Sequence, residues 1–482
     1  MVRETKMGIP EKGQSREKIL TQLASFKEKD LAWQNGRVFS FVFSAGREAE
    51  ELVKEAYGMF MAENALDPTT FPSTLQLERE IVRMTAELMG GDEDIVGNVT
   101  SGGTESIILA VKTARDWARV KHPQIKEPEI VLSQTAHAAF HKAAHYLDIK
   151  KVMVPFDQEA FTANVSAMAE AINENTILLV ASAPNYSHGV VDPVREIAAL
   201  AKEHKVLCHV DACIGGIQLA FMRQLGYEVP DFDFTLPGVT SMSVDPHKYG
   251  YSAKGSSVVL YRDKELRRHQ IYANLSTTAY AIINPTIQST KSGGPLAATW
   301  AVMNFFGQEG YRKLVGDVSE GAWRIIDHIN DHPDLRIEGS PAMSIFALTS
   351  DTLNVFQLAD TMRQMGWYLQ PQFSKGSNRP NIHITVSFTN VPFVDEFLND
   401  LNTAVEQTKA LEQLDPKIVQ QQVNMLLAGK STEEAAEALY QLAGIEGESL
   451  PEDMALVNTI LNALPPSIAE HLLREYFNDL YV

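Results

Sequence analysis

Four short stretches carry side chains suited to one kind of chemistry. Residues 100–106 read TSGGTES and precede the helical run Ile107, Ile108, Val111 and Ala114. Glycines there, Gly102 and Gly103, let the backbone approach an anion, and the start of a helix offers free N–H groups and a favourable dipole. Taken alone, such a turn is often only a turn. His137, in TAHAAF at 135–140, follows a predicted strand. Its imidazole is suited to stacking on a flat ring, although a lone histidine is more often structural. Asp211 closes an apolar run in HVDAC at 209–213. An unpaired carboxylate is costly there, so it needs a partner: a cap or strand-end hydrogen bond, or a protonated ring nitrogen. Lys248, in DPHKYGY at 245–251, follows the strand-like stretch 241–244. Partial desolvation lowers a lysine's pKa and suits it to Schiff-base chemistry, whereas the ordinary alternative is a solvated loop lysine. Together these four features supply, in chain order, what is needed to hold pyridoxal phosphate.

Such residues need a scaffold that brings them to one place. Short β-rich runs occur at 130–132, 152–154, 177–180, 206–210 and 257–260, with helical stretches at 137–147, 161–173 and 193–203. This alternation predicts a mainly parallel sheet with crossover helices. The strands are apolar throughout, as expected when both faces are covered. Ligands bind beyond the carboxyl ends of such strands, where Asp211 and Lys248 fall. Residues 296–330 read as helix interrupted by Gly307 and Gly310. Strand-like runs at 344–348 and 382–386, with the helical spacing of Val394, Phe397, Leu398, Leu401 and Val405, predict a smaller α+β domain. The expected division is an N-terminal arm at 1–55, a large cofactor domain at 56–305, a small domain at 306–413 and an acidic helical extension at 414–482. In that extension, Ser431-x-x-Glu434 and Ser467-x-x-Glu470 each fit a capping box.

Composition bounds the function. The chain has 482 residues, 45% hydrophobic and 21% charged, the balance of a soluble globular protein. A net charge of −19 argues against nucleic-acid partners and against a polybasic membrane contact. The two cysteines, Cys208 and Cys213, are too few for a disulfide scaffold and are expected to be reduced packing residues. Residues 1–18 hold no apolar leader, and runs such as 177–181 are far short of a membrane span, so no integral membrane segment and a cytoplasmic location are expected.

The motifs SGGTES, TAHAAF, HVDACIGG and DPHKYGYSAKGSS resemble the group II pyridoxal-phosphate-dependent decarboxylase superfamily. YGYSAKG at 249–255 and APNYSHGVVD at 183–192 are most similar to its sphingosine-1-phosphate lyase branch. The resemblance runs over about 36–389, and no family counterpart is expected for the tail. It implies an α/β fold of fold-type I, the aspartate aminotransferase-like class, as a homodimer with shared active sites. It implies Lys248 as the Schiff-base lysine, Asp211 at the pyridine nitrogen and His137 on the ring. Gly103, Thr104 and His247 would hold the cofactor phosphate, with Thr290 from the other subunit. Tyr186 and Lys254 would assist proton transfer and bind a small amino substrate. Three positions depart from the lyase pattern. Phe43 stands for a tyrosine, Asp67 for a histidine and Lys291 for an arginine, and all three family residues bind the substrate's phosphate. A carboxylate repels phosphate, and lysine lacks the planar guanidinium fork.

Two bond cleavages compete on such a cofactor. Retro-aldol cleavage of Cα–Cβ needs a β-hydroxyl and a base for it, whereas loss of the carboxylate needs that group perpendicular to the ring. The leading expectation is a carbon–carbon lyase that cleaves a 2-amino-3-hydroxy substrate to an aldehyde and an amine, with an altered substrate-phosphate pocket. The alternative is an amino-acid decarboxylase, and a third reading is an inactive scaffold of the same fold.

Overall fold

The computed structural model describes residues 8–276, 278, 280–374, 378–428, 438, 439, 441–443 and 451–481. Helix α1 (Arg16–Phe26) is capped by Ser15 and buries none of its residues. α2 (Arg47–Met59) and α3 (Pro72–Leu88) follow, the latter begun by a proline whose missing N–H costs nothing at that position.

The main sheet has seven strands: β1 (Val96–Thr100), β2 (Glu129–Ser133), β3 (Lys150–Val154), β4 (Thr176–Ser182), β5 (Leu207–Asp211), β6 (Ser241–Val244) and β7 (Ser257–Tyr261). Their order is β1-β7-β6-β5-β4-β2-β3, and β7 alone runs against the others. The mainly parallel sheet is therefore as expected. β1 was not anticipated, because VGNVT has weak strand propensity. It forms against β7, where a Cβ on Gly97 would lie only 2.3 Å from the Val259 carbonyl oxygen. Successive strand residues feed opposite cores. Ile130, Leu132, Leu178 and Val180 pack on one face, and Val131, Leu179 and Ala181 on the other.

The intervening helices are α4 (Gly103–Lys121), α5 (Ala138–Leu147), α6 (Val165–Ala171), α7 (Val194–His204), α8 (Gly216–Gln224) and α9 (Lys264–Arg267). α6 is shorter than expected because the Asn164 side chain caps it, accepting from the Ala167 N–H. A hairpin of β8 (Tyr272–Asn274) and β9 (Ile282–Asn284) leads to α10 (Gly293–Asp331). Gly307, at φ 52° and ψ −169°, joins two helical lengths within α10, whereas Gly310 causes no break. Beyond that joint, Tyr311, Leu314, Val315 and Val318 pack in the main core, and Ala322, Ile325, Ile326 and Ile329 in a second core.

That second core lies on a four-stranded antiparallel sheet of β10 (Arg336–Glu338), β11 (Ile345–Thr349), β12 (Gln370–Gln372) and β13 (Asn381–Thr385), ordered β10-β11-β13-β12. α11 (Val355–Gln364) and α12 (Val394–Ala410) bury Phe356, Leu358, Phe397 and Leu401 against it. The C-terminal region holds α13 (Pro416–Leu427) and two further helices, Ala455–Ala463 and Pro466–Asp479, around Val419, Val423, Val457, Ile460 and Leu472. Ser467 does not cap the last helix: Pro466 already occupies its first turn and Pro465 its cap. The other expected box, Ser431 with Glu434, lies outside the described residues. The region is tied to α11 and to the end of β12: the Ala455 N–H donates to Asp360 Oδ2 (2.6 Å), and the Ser374 N–H and hydroxyl donate to Asn462 Oδ1 (2.6 and 2.9 Å).

Candidate active site

The turn from β1 to α4 forms one wall. α4 starts after Gly102 with no side-chain cap, so its first N–H groups are left for a ligand. The Glu105 carboxylate fixes the turn from behind. It accepts from the Ser101 N–H (2.6 Å) and, through its other oxygen, from the Ile287 N–H (2.8 Å). Gly103 is required by packing: a Cβ there would stand 2.7 Å from Asp245 Oδ2 and 2.8 Å from Cys213 Sγ.

Asp211 ends β5. Its Oδ1 accepts from the Cys213 N–H (3.1 Å) and the Ser243 hydroxyl (3.2 Å), while its Oδ2 has no partner among the described residues. Ser243 also lies 3.2 Å from His209 Nε2, and Ser241 lies 2.9 Å from His209 Nδ1. Burial pushes His209 down to about 4, so this supporting imidazole is neutral.

Lys248 follows β6 on a tight turn. Its Nζ stands 3.0 Å from Asp245 Oδ2. Burial opposes the ammonium, but the Asp245 carboxylate, with Asp211 beyond it, outweighs burial and holds Lys248 above its ordinary value. Burial likewise acts to raise Asp245, but Lys248 and His247 hold it below the usual carboxylate range. His247 is pushed down by burial. Asp245 Oδ1 and His247 Nδ1 are buried without a hydrogen-bond partner among the described residues.

These walls enclose a cavity of about 380 Å³. Of the residues expected from the sequence, Gly103, Thr104, His137, Tyr186, Asp211, His247 and Lys248 all line it. His137 caps α5, its Nδ1 accepting from the Ala139 N–H (3.2 Å), which fixes the ring. The Tyr186 ring stacks on His383 at 4.1 Å, and its hydroxyl donates to Gln370 Oε1 (2.9 Å). Burial raises the Tyr186 phenol. Lys254 and Thr290 do not line this cavity. Lys254 Nζ donates to the carbonyls of Phe41 and His247, each at 3.2 Å, and sits 5.0 Å above the Phe43 ring. Its residue is exposed, but partial desolvation among protein atoms, then the nearby Lys248 charge, lower it to about 8. Thr290 is exposed.

Gln370, whose Oε1 also accepts from the Ser40 hydroxyl (2.7 Å), belongs to no motif, and nothing in its sequence neighbourhood marks it. Asp245 does carry a sequence signal, an acid one helical turn before the lysine. The three departures also lie off the cavity lining. Phe43 packs edge-on against Tyr249 (5.0 Å), Asp67 accepts from the Thr69 N–H (2.8 Å) in its own turn, and Lys291 pairs with Glu78 (2.7 Å). The free N–H groups, the unpartnered His247 nitrogen, the free Asp211 oxygen and the half-buried Lys248 amine fit a phosphate-bearing aldehyde with a basic ring nitrogen.

Comparison with known proteins agrees. The profile of the pyridoxal-dependent decarboxylase conserved domain matches residues 1–346. A second profile, a C-terminal putative HTH domain of pyridoxal-dependent enzymes, matches residues 406–479. That match corrects the expectation that the tail has no family counterpart; its apolar spacing carries no chemical residue by which a family could be read. The chain is 42% identical to a sphingosine-1-phosphate lyase of Oryza sativa subsp. japonica, over 83% of this chain and 75% of that one. It is 31% identical to a probable L-aspartate decarboxylase of Pyrococcus furiosus, over 75% of this chain and 94% of that one. The solved sphingosine-1-phosphate lyase of Burkholderia pseudomallei superposes with a TM-score of 0.80 at 33% identity, covering 88% of this chain and 97% of that one. The fold is thus that of fold-type I enzymes, and the cofactor is pyridoxal phosphate. Among the described residues no helix is long and apolar enough to cross a membrane. The chain belongs to the pyridoxal-dependent decarboxylase family and is a pyridoxal-phosphate-dependent lyase.

Proposed function

We propose that this lyase performs a retro-aldol cleavage, splitting a 2-amino-3-hydroxy substrate into an aldehyde and an amine. One observation carries the reading: the Tyr186 phenol faces the same cavity as Lys248, with its own proton already donated to Gln370. Its lone pairs are then available to accept a hydrogen bond from a substrate β-hydroxyl. When bound, the cofactor supplies the electron sink for the pair released at Cα. Lys248 Nζ would hold its aldehyde carbon, Asp211 would keep its ring nitrogen protonated, and His137 would cover its ring. Gly103, Thr104 and His247 would hold its phosphate, with Thr290 of a second copy adding to that set. Lys254, bonded to the His247 carbonyl and outside the cavity lining, would assist proton transfer. The β-hydroxyl proton would pass to the Lys248 amine once the substrate's own amine has displaced it, the Cα–Cβ bond would break as the aldehyde departs, and Lys248 would return that proton to Cα.

The substrate's far end need not carry phosphate. Lys291 is committed to Glu78, Asp67 to its own turn, and Phe43 offers no donor. A homodimer is supported by the exposed apolar side chains of the β8–β9 hairpin region, Tyr272, Leu275, Tyr280, Ile283 and Ile287. A cytoplasmic location rests on the acidic charge balance and the two free, buried cysteines. The second reading, decarboxylation, draws on the 31% identity to the probable L-aspartate decarboxylase.

The test is a substrate panel: a sphingoid base with and without 1-phosphate, β-phenylserine, L-aspartate and L-glutamate, each assayed for aldehyde and for CO₂. Aldehyde from a hydroxy substrate is expected. CO₂ from an amino acid with no aldehyde from any hydroxy substrate would overturn the reading. Lys248→Ala should abolish both turnover and the visible absorbance of the bound cofactor; survival of that absorbance would mean another lysine holds it.

A further inference from the structure

Tyr186 owes its position to the second sheet rather than to its own domain. Gln370 and His383 are register partners on β12 and β13, and both touch it: Gln370 Oε1 accepts its hydroxyl proton, and the His383 ring stacks on its face. Gln370 Oε1 also accepts from the Ser40 hydroxyl (2.7 Å), so both lone pairs of that oxygen are used. Turned over, the amide would instead donate to the same two hydroxyl oxygens and leave the phenol's proton free, whereas a glutamate at this position could only accept, as Gln370 Oε1 does here. Two residues on, Gln372 Nε2 donates to the Ser187 carbonyl (2.9 Å), a second tie from the same strand to the loop that bears Tyr186. Among the described residues β12 is an edge strand, paired with β13 alone. Its free end runs to Ser374, whose N–H and hydroxyl both bond Asn462 of the C-terminal helix Ala455–Ala463.

We propose that Gln370 is a positioning residue for Tyr186, held in register by the C-terminal helices through Asn462. Gln370 accepts the phenol's hydrogen bond and thereby turns the lone pairs of the phenolic oxygen toward the substrate. The tail, by fastening the end of β12, sets where that acceptor stands. This rests on the retro-aldol reading of Tyr186.

The experiment measures kcat and KM, with the hydroxy substrate turned over fastest in the panel, for Tyr186→Phe, Gln370→Leu, Gln370→Glu, Asn462→Ala and the double variants with Tyr186→Phe. Cofactor absorbance checks that each variant is folded and loaded. Gln370→Leu should lower kcat about five- to tenfold with little change in KM, the worth of one hydrogen bond. Gln370→Glu, which keeps an acceptor at that reach, should recover most of the loss. Asn462→Ala should show a smaller loss of the same kind. Neither Gln370→Leu nor Asn462→Ala should add to Tyr186→Phe. Additive losses, or a loss confined to KM, would overturn the positioning role, as would a wild-type kcat in Gln370→Leu when Tyr186→Phe is slow. If Tyr186→Phe itself turns over normally, it is the reading of Tyr186 that falls, and the positioning role with it.

Discussion

Replacing Lys291 by methionine tests how this site departs from its lyase relatives. Lys291 Nζ lies 2.7 Å from Glu78 Oε1, and the two side chains are only 15% and 13% exposed. Glu78 Oε1 also accepts from Asn98 Nδ2 (3.1 Å) and the Val99 N–H (2.9 Å). Burial alone would raise this carboxyl; the Lys291 charge and these hydrogen bonds outweigh it and hold Glu78 below its ordinary value of 4.5. Methionine keeps the length of the side chain but leaves the carboxylate buried without its cation. Breaking a buried pair from one side costs about 3–5 kcal/mol, and the slight exposure of this pair puts the loss near the lower end, about 3 kcal/mol. The folded pKa lies below the unfolded one, so the stabilisation is fully present above the unfolded value and fades as pH falls through the folded one. The deficit should therefore be full at neutral pH and shrink in acid below 4.5. Urea unfolding followed by tryptophan fluorescence, on the wild type, Lys291→Met, Glu78→Gln and the double variant, measures it. The double variant should recover much of the single-variant loss. If Lys291→Met unfolds at the wild-type urea concentration while turnover of a phosphorylated sphingoid base falls, Lys291 serves the substrate, and the reading of a vacated phosphate pocket is wrong.

Two further outcomes follow from the cavity walls. Gly103→Ala forces a methyl group to within 2.7 Å of Asp245 Oδ2, and overpacking of about 1–3 kcal/mol should raise the dissociation constant for pyridoxal phosphate at least about fivefold in a fluorescence titration of the apo-protein. An unchanged constant would mean that Asp245 and Cys213 move aside freely. Lys254, drawn to about 8 by partial desolvation and the Lys248 charge, should place an alkaline limb in the pH profile of kcat as its ammonium is lost. Lys254→Arg stays charged and should remove that limb; a limb that persists near pH 8 belongs to another group.

The chemistry of the cavity floor was legible because each group sits at the end of a regular element. A buried strand that ends in Asp211, and another followed by Lys248, announce themselves through the contrast between apolar run and charge. The side chains that arrange Tyr186 were not legible. Gln370 is a polar residue on a short edge strand, and only the sheet register of β12 on β13 gives it a role. Lys291 was noticed as a substitution, but its pairing with Glu78 joins residues more than two hundred positions apart and leaves no local pattern. β1 was hidden for a related reason: its glycine and asparagine weaken the local signal, and the pairing with β7 forms it. Ser467 misled because a capping box is read from spacing alone, whereas the proline before it had already begun the helix.

The half of α10 beyond Gly307 behaves as a beam clamped at both ends. One stretch, Tyr311 to Val318, is set in the first core and the next, Ala322 to Ile329, in the second, with no break between them. Rotating one domain against the other would bend this shaft and stretch its backbone hydrogen bonds. The gap between Lys248 on one side and Gln370 on the other is therefore set by the stiffness of a helix, before any substrate arrives. Such an enzyme spends little of its binding energy on closing, and it selects substrates by whether they fit a span that is already fixed.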